Sequence, residues 1–293
     1  GVLASYDVDT PGIYIRRVMP DSPAEAAGIR ENDVVTAVNG TVVTEETYGD
    51  CINAVRGEAG TSVTLTVLSG GKTTDVNVTR ATVRSRNVFM NWLEGDIAFI
   101  QITEFSGNVA TDFVSCMKEA ETKGAKGYVF DMRGNPGGDL EIICTVLDYL
   151  LPEGPIIRVK NAAGNIVFTR DSGASCVNAP MTVLVDGNTA SAAELFTAAL
   201  RDYHKATIIG TTTFGKGTMQ HIITLSDGSG IRLSCYYYDP PYGENYHGKG
   251  ITPDIVLDQS DYYKLRPYLL NEENDIQIQA AKKELLKIIE GVN

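Results

Sequence analysis

The chain has 293 residues, long enough for about two domains and a sizeable core. Its 43% hydrophobic and 21% charged residues are ordinary globular values that exclude a disordered chain, and no run of about 18 apolar residues is present to span a membrane. A formal net charge of −12 excludes the electrostatic attraction that nucleic acid or an anionic lipid surface exerts on a basic protein. The sequence opens at Gly1 without initiator methionine or leader, as expected of a mature form or a piece of a longer chain. Five cysteines, at 51, 116, 144, 176 and 235, are odd in number and widely scattered. That argues against a disulfide framework and a zinc site; they read as small core residues, with one pairing left open.

In chain order, Ile13-Tyr-Ile-Arg-Arg-Val alternates as a strand does. Asp21-Ser22-Pro23-Ala24-Glu25-Ala-Ala-Gly28 carries a capping serine, a proline at the first helical position and a closing glycine. A strand from Asp33 enters a hairpin turn at Asn39-Gly40, a helix is predicted over 44–55, and strands over 63–68 and 74–79 flank Gly70-Gly71. The helix presents Tyr48, Cys51, Ile52 and Val55 at helical spacing, of which half is expected to face a core. Residues 84–95 are polar and irregular and read as a linker. A strand over 97–102, a helix over 109–122 and a buried strand over 127–131 follow. The last ends at Asp131-Met-Arg-Gly-Asn135-Pro136-Gly137-Gly138, a turn whose successive N–H groups can form an anion nest before a helix over 139–151. Asp131 and Arg133 read as a structural pair.

The chemistry concentrates between 181 and 220. Thr182-Val183-Leu184-Val185 is an apolar run closed by Asp186-Gly187-Asn188, and helical spacing begins at Ser191, so this serine sits where a strand hands over to a helix. A second apolar run over 206–210 leads into Thr213-Phe214-Gly215-Lys216-Gly217-Thr218-Met219-Gln220. One βαβ crossover returns Ser191 and Lys216 to the same sheet edge. A serine hydroxyl needs an adjacent base to become a nucleophile, and a lysine amine serves when desolvation loosens its hold on its proton. Gln220 is placed to steady the amine, and the Ala192 N–H, at a helix start, to receive an oxyanion. Competing readings are few. Ser191-Ala-Ala-Glu194 also fits a capping box. Gly210 to Lys216 has phosphate-loop spacing, but Gly217 stands where a magnesium-binding Ser or Thr is required. His204, His221 and His247 offer a histidine base, without a Gly-x-Ser-x-Gly elbow to go with it. After Lys216, strands over 218–225 and 230–237 form a hairpin. Tyr236-Tyr237-Tyr238 reads as edge packing, and an amphipathic helix over 273–289 presents Ile276, Ala280, Leu285 and Ile289 on one face.

Asn188-Thr-Ala-Ser191-Ala-Ala-Glu194, Phe214-Gly-Lys216-Gly-Thr-Met-Gln220, the Asn135-Pro-Gly-Gly loop and Gly248-Lys-Gly250-Ile-Thr-Pro253-Asp254 together resemble the signatures of the carboxyl-terminal processing (tail-specific) serine peptidases, in the family's order. The segment before 83, above all Ser22 to Gly28, resembles a PDZ domain. The resemblance implies a PDZ domain over 1–83, a linker over 84–95, an α/β catalytic core of the crotonase and Clp-protease type over 96–260, and a C-terminal helical segment over 261–293. It implies Ser191 as nucleophile, Lys216 as general base, Gln220 as the residue orienting the lysine, and oxyanion donors from the N–H of Ala192 and of Gly137. Substrates would be protein chains with free apolar C-termini. A carboxylate loop near Val2, Leu3 and Ala4 and a groove helix presenting Tyr48, Ile52 and Val55 would bind them by strand addition. Where the family usually has a second glycine, this chain has Leu3, and Thr189 and Ala193 replace frequent serines. No metal, cofactor or nucleic acid is implied. Export to the bacterial cell envelope or beyond is, with membrane anchoring only through sequence upstream of Gly1, and a homo-oligomer stays open. The rival of another class is a catalytically silent or resting PDZ scaffold; the intact Ser191, Lys216 and Gln220 weigh against it.

Overall fold

The computed structural model describes residues 1–83, 86–173 and 175–291, apart from the side chains of His221 and Tyr268. They gather into two units, Gly1–Arg86 with Gln259–Asn271, and Asn87–Asp258 with Glu272–Asn293. In the first unit, strands β1 (Val2–Asp7), β2 (Gly12–Val18), β3 (Val34–Val38), β4 (Thr41–Val42), β5 (Ser62–Ser69) and β6 (Lys72–Thr79) form an antiparallel sheet. Its order is β1-β2-β3-β5-β6, with β4 on β3. Alternation does the sorting: Val63, Leu65 and Val67 of β5 point into the core with Ile13, Ile15 and Val35, while the threonines between them face outward. Helix α1 (Pro23–Ala26) is capped as its sequence requires, Ser22 Oγ accepting the Glu25 N–H. Helix α2 (Tyr48–Val55) sinks Cys51 into the core and leaves Tyr48, Ile52 and Val55 half-buried.

One expectation is corrected here. Val2, Leu3 and Ala4 are not a loop; they lie in β1, opposite Val18, Arg17 and Ile15. Val2, Ala4 and Tyr6 pack against the core, and pairing with β2 satisfies the backbone, so an extended strand outcompetes a loop there. Among the described residues β1 pairs only with β2, and Tyr6 of β1 meets Tyr48 of α2 edge-on, ring centroids 5.4 Å apart.

The second unit is built on β7 (Val88–Leu93), β8 (Ile97–Ile102), helix α3 (Val109–Thr122), β9 (Gly127–Asp131), α4 (Leu140–Leu150), β10 (Gly154–Lys160), β11 (Ile166–Ser172), β12 (Met181–Val185), α5 (Ala192–Asp202), β13 (Ala206–Gly210), β14 (Thr218–Thr224), β15 (Gly230–Asp239) and β16 (Ile255–Val256). The large sheet runs β16-β13-β12-β9-β8-β7, parallel throughout except for β7. A smaller antiparallel sheet runs β11-β10-β15-β14. The parallel strands read as unbroken apolar runs because both faces are covered. Tyr128, Phe130, Val183 and Ile208 face α3, α4 and α5, while Val129, Leu184 and Ile209 face the C-terminal helix.

The expected linker is shorter than predicted, since Val88–Leu93 forms the edge strand β7; residues 84–85 lie outside the described residues. The expected C-terminal segment divides: 259–271, with helix α6 (Asp261–Leu265), joins the first unit, and helix α7 (Ile276–Glu290) the second. Residues 292–293 lie outside the described residues. Helix α7 buries Ile278, Ala281 and Leu285, with Ala280 and Ile289 packed against the same cluster; of the expected face Ile276 is exposed. Its start is set by Asp275, whose carboxylate caps the helix and also binds Arg133 at 2.7 Å. Burial works against the Arg133 charge, and the flanking Asp131 and Asp275 carboxylates outweigh it and hold the guanidinium charged.

Candidate active site

Three loops leave the carboxyl ends of the adjacent parallel strands β9, β12 and β13, the edge at which α/β sheets hold their ligands. The loop after β9 is folded around Asn135, which is fully buried. Its amide donates to the Ile102 carbonyl and its Oδ1 accepts the Gly137 N–H, both at 2.8 Å. The Phe105 N–H donates to the Gly137 carbonyl, and the Asp139 N–H to that of Phe105. Glycine is required at both positions of the pair. Gly137 and Gly138 have φ of 102° and 146°; a Cβ would stand 2.7 Å from Ser191 Cβ at the first and 2.1 Å from the Phe105 carbonyl oxygen at the second. This changes the donor expected from the loop. The Gly137 N–H is spent on Asn135, whereas the Gly138 N–H has no hydrogen-bond partner among the described residues.

The loop after β12 makes the sharp turn that carries Ser191. Thr189 Oγ1 donates to the Met132 carbonyl at 2.9 Å, tying this loop to the end of β9, and the Asp186 carboxylate accepts the N–H groups of Asn188 and Gly134. Ser191 is held at φ 55°, ψ −117°, a conformation that costs a non-glycine residue about 1–3 kcal/mol. It is followed by α5, whose first N–H, that of Ala192, also lacks a partner among the described residues.

The third loop is held by the second. Glu194, in the first turn of α5, is fully buried, and its carboxylate accepts four hydrogen bonds: from the N–H of Ser191 (2.9 Å), Gly215 (2.7 Å) and Lys216 (2.7 Å), and from Thr213 Oγ1 (2.5 Å). The anion seated in the phosphate-loop-like segment is therefore the protein's own carboxylate. Gly215 and Gly250 press backbone against backbone. A Cβ on Gly215 would stand 2.8 Å from the Gly250 nitrogen, and one on Gly250 2.2 Å from the Thr213 carbonyl oxygen.

Ser191, Ala192, Gly137, Lys216 and Gln220 all line one cleft of about 590 Å³, within the range of substrate pockets. Gln220 makes no hydrogen bond to Lys216, and Lys216 Nζ has no hydrogen bond or ion pair among the described residues. His204 and His247 do not line the cleft, and the side chain of His221 lies outside the described residues. Tyr48, Ile52 and Val55 belong to the first unit, with β1.

Peptidase family S41 matches residues 96–257, more than half of the chain. The chain belongs to peptidase family S41. A PDZ domain matches residues 14–69, so this is a PDZ-containing S41 peptidase chain. Its relatives include a carboxy-terminal-processing protease of Bartonella bacilliformis, 35% identical over 256 residues (85% of this chain, 59% of the relative). Carboxy-terminal processing protease CtpA of Bacillus subtilis is 36% identical over 271 residues (92% and 58%). The chain thus spans a little under three fifths of the length of these relatives. Among solved structures, a photosystem II D1 C-terminal processing protease superposes with a TM-score of 0.56 at 29% identity, covering 88% of this chain and 72% of that one. A putative S41 protease from Bacteroides fragilis gives 0.69 at 20% identity over 100% and 82%, a likeness of fold. Sequence reasoning missed two residues around this cleft. Glu194 was visible as a helix cap, but its partners on the third loop were not. Tyr238, buried in the cleft wall, was hidden in a run of three tyrosines.

Proposed function

We propose that this chain is the working part of a serine endopeptidase that cuts protein chains recognised through their carboxyl terminus, with Ser191 as nucleophile and Lys216 as general base. The observation that carries the reading is the shared Glu194 carboxylate: it fixes the Ser191 and Lys216 backbones together at the mouth of one cleft, although they come from different loops. In this mechanism Lys216 Nζ takes the Ser191 proton as Oγ attacks the peptide carbonyl. The oxyanion is received by the N–H of Ala192 and of Gly138, the two partnerless donors. The proton then passes to the leaving amine, and water, deprotonated by the lysine, releases the acyl group from Ser191. In the first unit, the open edge of β1 beside Tyr48, Ile52 and Val55 offers an extended apolar C-terminus the place of an added strand. The relatives are bacterial, and the family resemblance implies action in the cell envelope or beyond. Among the described residues no helix is long and apolar enough to cross a membrane.

A second reading, a resting form, is favoured by one observation: Lys216 Nζ is hydrogen-bonded to neither Ser191 nor Gln220. One experiment addresses both readings. Cleavage of an unstructured protein with an apolar C-terminus is expected to fall by more than about a thousandfold in Ser191→Ala and in Lys216→Ala, with C-terminal peptide binding retained. Undiminished turnover in Ser191→Ala would end the nucleophile assignment. Binding without turnover in the unsubstituted chain would establish the resting form.

A further inference from the structure

The cleft follows the β14–β15 ribbon away from Lys216. Thr218, Met219, Gln220 and Ile222 of β14 line it in succession, and Arg232 of β15 joins them. Strand register explains why this residue of β15 is the one presented there. Beyond the shift between Met219 and Gln220, Gln220 stands opposite Ser234 and Ile222 opposite Arg232. Directly opposed residues share a face of a ribbon and successive residues alternate between faces. Gln220, Ile222 and Arg232 therefore share the cleft face, and His221 and Leu233 belong to the other.

The charge on Arg232 is not spent within the protein. A guanidinium carries five N–H donors and a permanent positive charge. Arg232 is exposed, and it makes no hydrogen bond or ion pair among the described residues. The residue opposite it, Ile222, is apolar and offers no side-chain acceptor. Of the ribbon's carboxylates, Asp227 in the turn accepts the N–H and hydroxyl of Ser229, and Asp239 at the far end pairs with Lys160. The two carboxylates that line the cleft are also engaged: Asp139 caps α4, and Glu104 accepts the Ser106 hydroxyl at 3.0 Å. A chain of net charge −12 repels carboxylates at long range, so a cation left without a partner in its cleft makes a local exception.

We infer that Arg232 sets specificity: its guanidinium takes a carboxylate of the bound polypeptide, a few residues from the bond being cut. The inference rests on the peptidase reading above and gives its substrates a chemical feature. A planar fork of donors matches the two oxygens of a carboxylate, which a point charge of the same sign does not. Thr218 opens β14 just after Lys216, and Ile222 stands four strand steps further on, about 13 Å. An extended substrate advances at the same rate, so the carboxylate falls within about four residues of the cut. Its source is either an acidic side chain or the free α-carboxylate of a short tail.

The test uses short unstructured peptides, amidated at the C-terminus, in which a single Glu is moved through the positions on either side of the cut. Each is compared with its Gln counterpart by the ratio of their kcat/KM values, so that any general loss of activity cancels. In the unsubstituted chain one position is expected to favour Glu by about threefold to tenfold, less as salt is added. The ratio should fall to about one in Arg232→Gln and below one in Arg232→Glu. A further set has no acidic residue and a free C-terminus at each of those positions. An Arg232-dependent gain in this set alone assigns the carboxylate to the tail's own end, and one in the Glu set alone assigns it to a side chain. Ratios near one in both sets overturn the inference, and so do preferences that survive Arg232→Gln. Ser191→Ala keeps this inference apart from the reading it rests on. Where nothing is cut, the same ratios are read there as affinities, by competition with a labelled amidated peptide. Turnover surviving in Ser191→Ala defeats the nucleophile assignment and leaves the charge preference to its own ratios.

Discussion

Glu194 organises the candidate site without lining its cleft. A buried carboxylate without a cation partner is tolerable only when its lone pairs are filled, and four donors from two loops fill them. Glu194→Gln keeps the shape but turns an amide NH₂ toward N–H groups that need an acceptor. It is expected to lower unfolding stability by at least about 2 kcal/mol and to remove turnover, because the Gly215–Lys216 backbone loses its seat. Urea unfolding alongside a cleavage assay checks this; wild-type stability in the variant would show that the four bonds are replaceable. Ser191, Ala192 and the Asn-Pro-Gly-Gly loop were legible in the sequence because local spacing places them at strand-to-helix junctions, and Lys216 because it follows an apolar strand between two glycines. Glu194 was legible only as half a capping box, since its other partners are brought in by tertiary folding. Tyr238 was not legible at all: which of three consecutive tyrosines turns inward depends on strand register, and β14 and β15 shift register between Met219 and Gln220. The outcome is Tyr237 exposed and Tyr238 buried. Nor was it legible that the Gly137 N–H, expected as the loop donor, is accepted by a side chain two residues earlier.

At the scale of elements, the strands and helices of the second unit were readable wherever burial is uniform. Parallel strands covered on both faces are unbroken apolar runs bounded by glycine and proline, and α3 and β9 begin and end where their patterns do. Edge elements were less readable. β1 and β7 each have one strand neighbour, so their sequences carry only half of the usual signal, and both passed as irregular segments. Helix α7 was readable except at its start. Its expected face holds at Ala280, Leu285 and Ile289 and fails only at Ile276, the first residue after the Asp275 cap, which an ion pair with Arg133 anchors and no periodicity records. The same dense packing has a measurable cost in alkali. Burial pushes the Cys144 thiol of α4 and the Tyr128 phenol of β9 each up to about 12, from ordinary values of 9.0 and 10.0. Above pH 9 the unfolded chain loses these protons first, so the native state binds more protons and stability falls as pH rises, by up to about 1.4 kcal/mol per unit for each group. Urea midpoints are expected to decline from pH 9 upward, and Cys144→Val should flatten the first unit of that decline. A midpoint constant from pH 9 to 11 would contradict the assignment.

At the scale of the whole molecule, binding and cutting are assigned to separate units, each with its own apolar core, so loss of one function need not carry the other with it. Within the cutting unit the two walls of the cleft are unequal. One is α5, whose residues from Ala192 to Leu200 are all buried. The other ends in the β14–β15 ribbon, where Ile222, Ile231 and Leu233 are exposed, with Ile222 at 60%. Few buried contacts hold such a ribbon, so it sits at the low end of local opening free energies and the nucleophile's helix at the high end. Warming is therefore expected to melt the ribbon while the core still stands, and turnover should vanish several degrees below the calorimetric transition. Coincident midpoints would show that ribbon and core open as one. Heat would then disarm the proposed peptidase before it unfolds it, leaving an intact but harmless particle instead of a partly unfolded chain that still cuts.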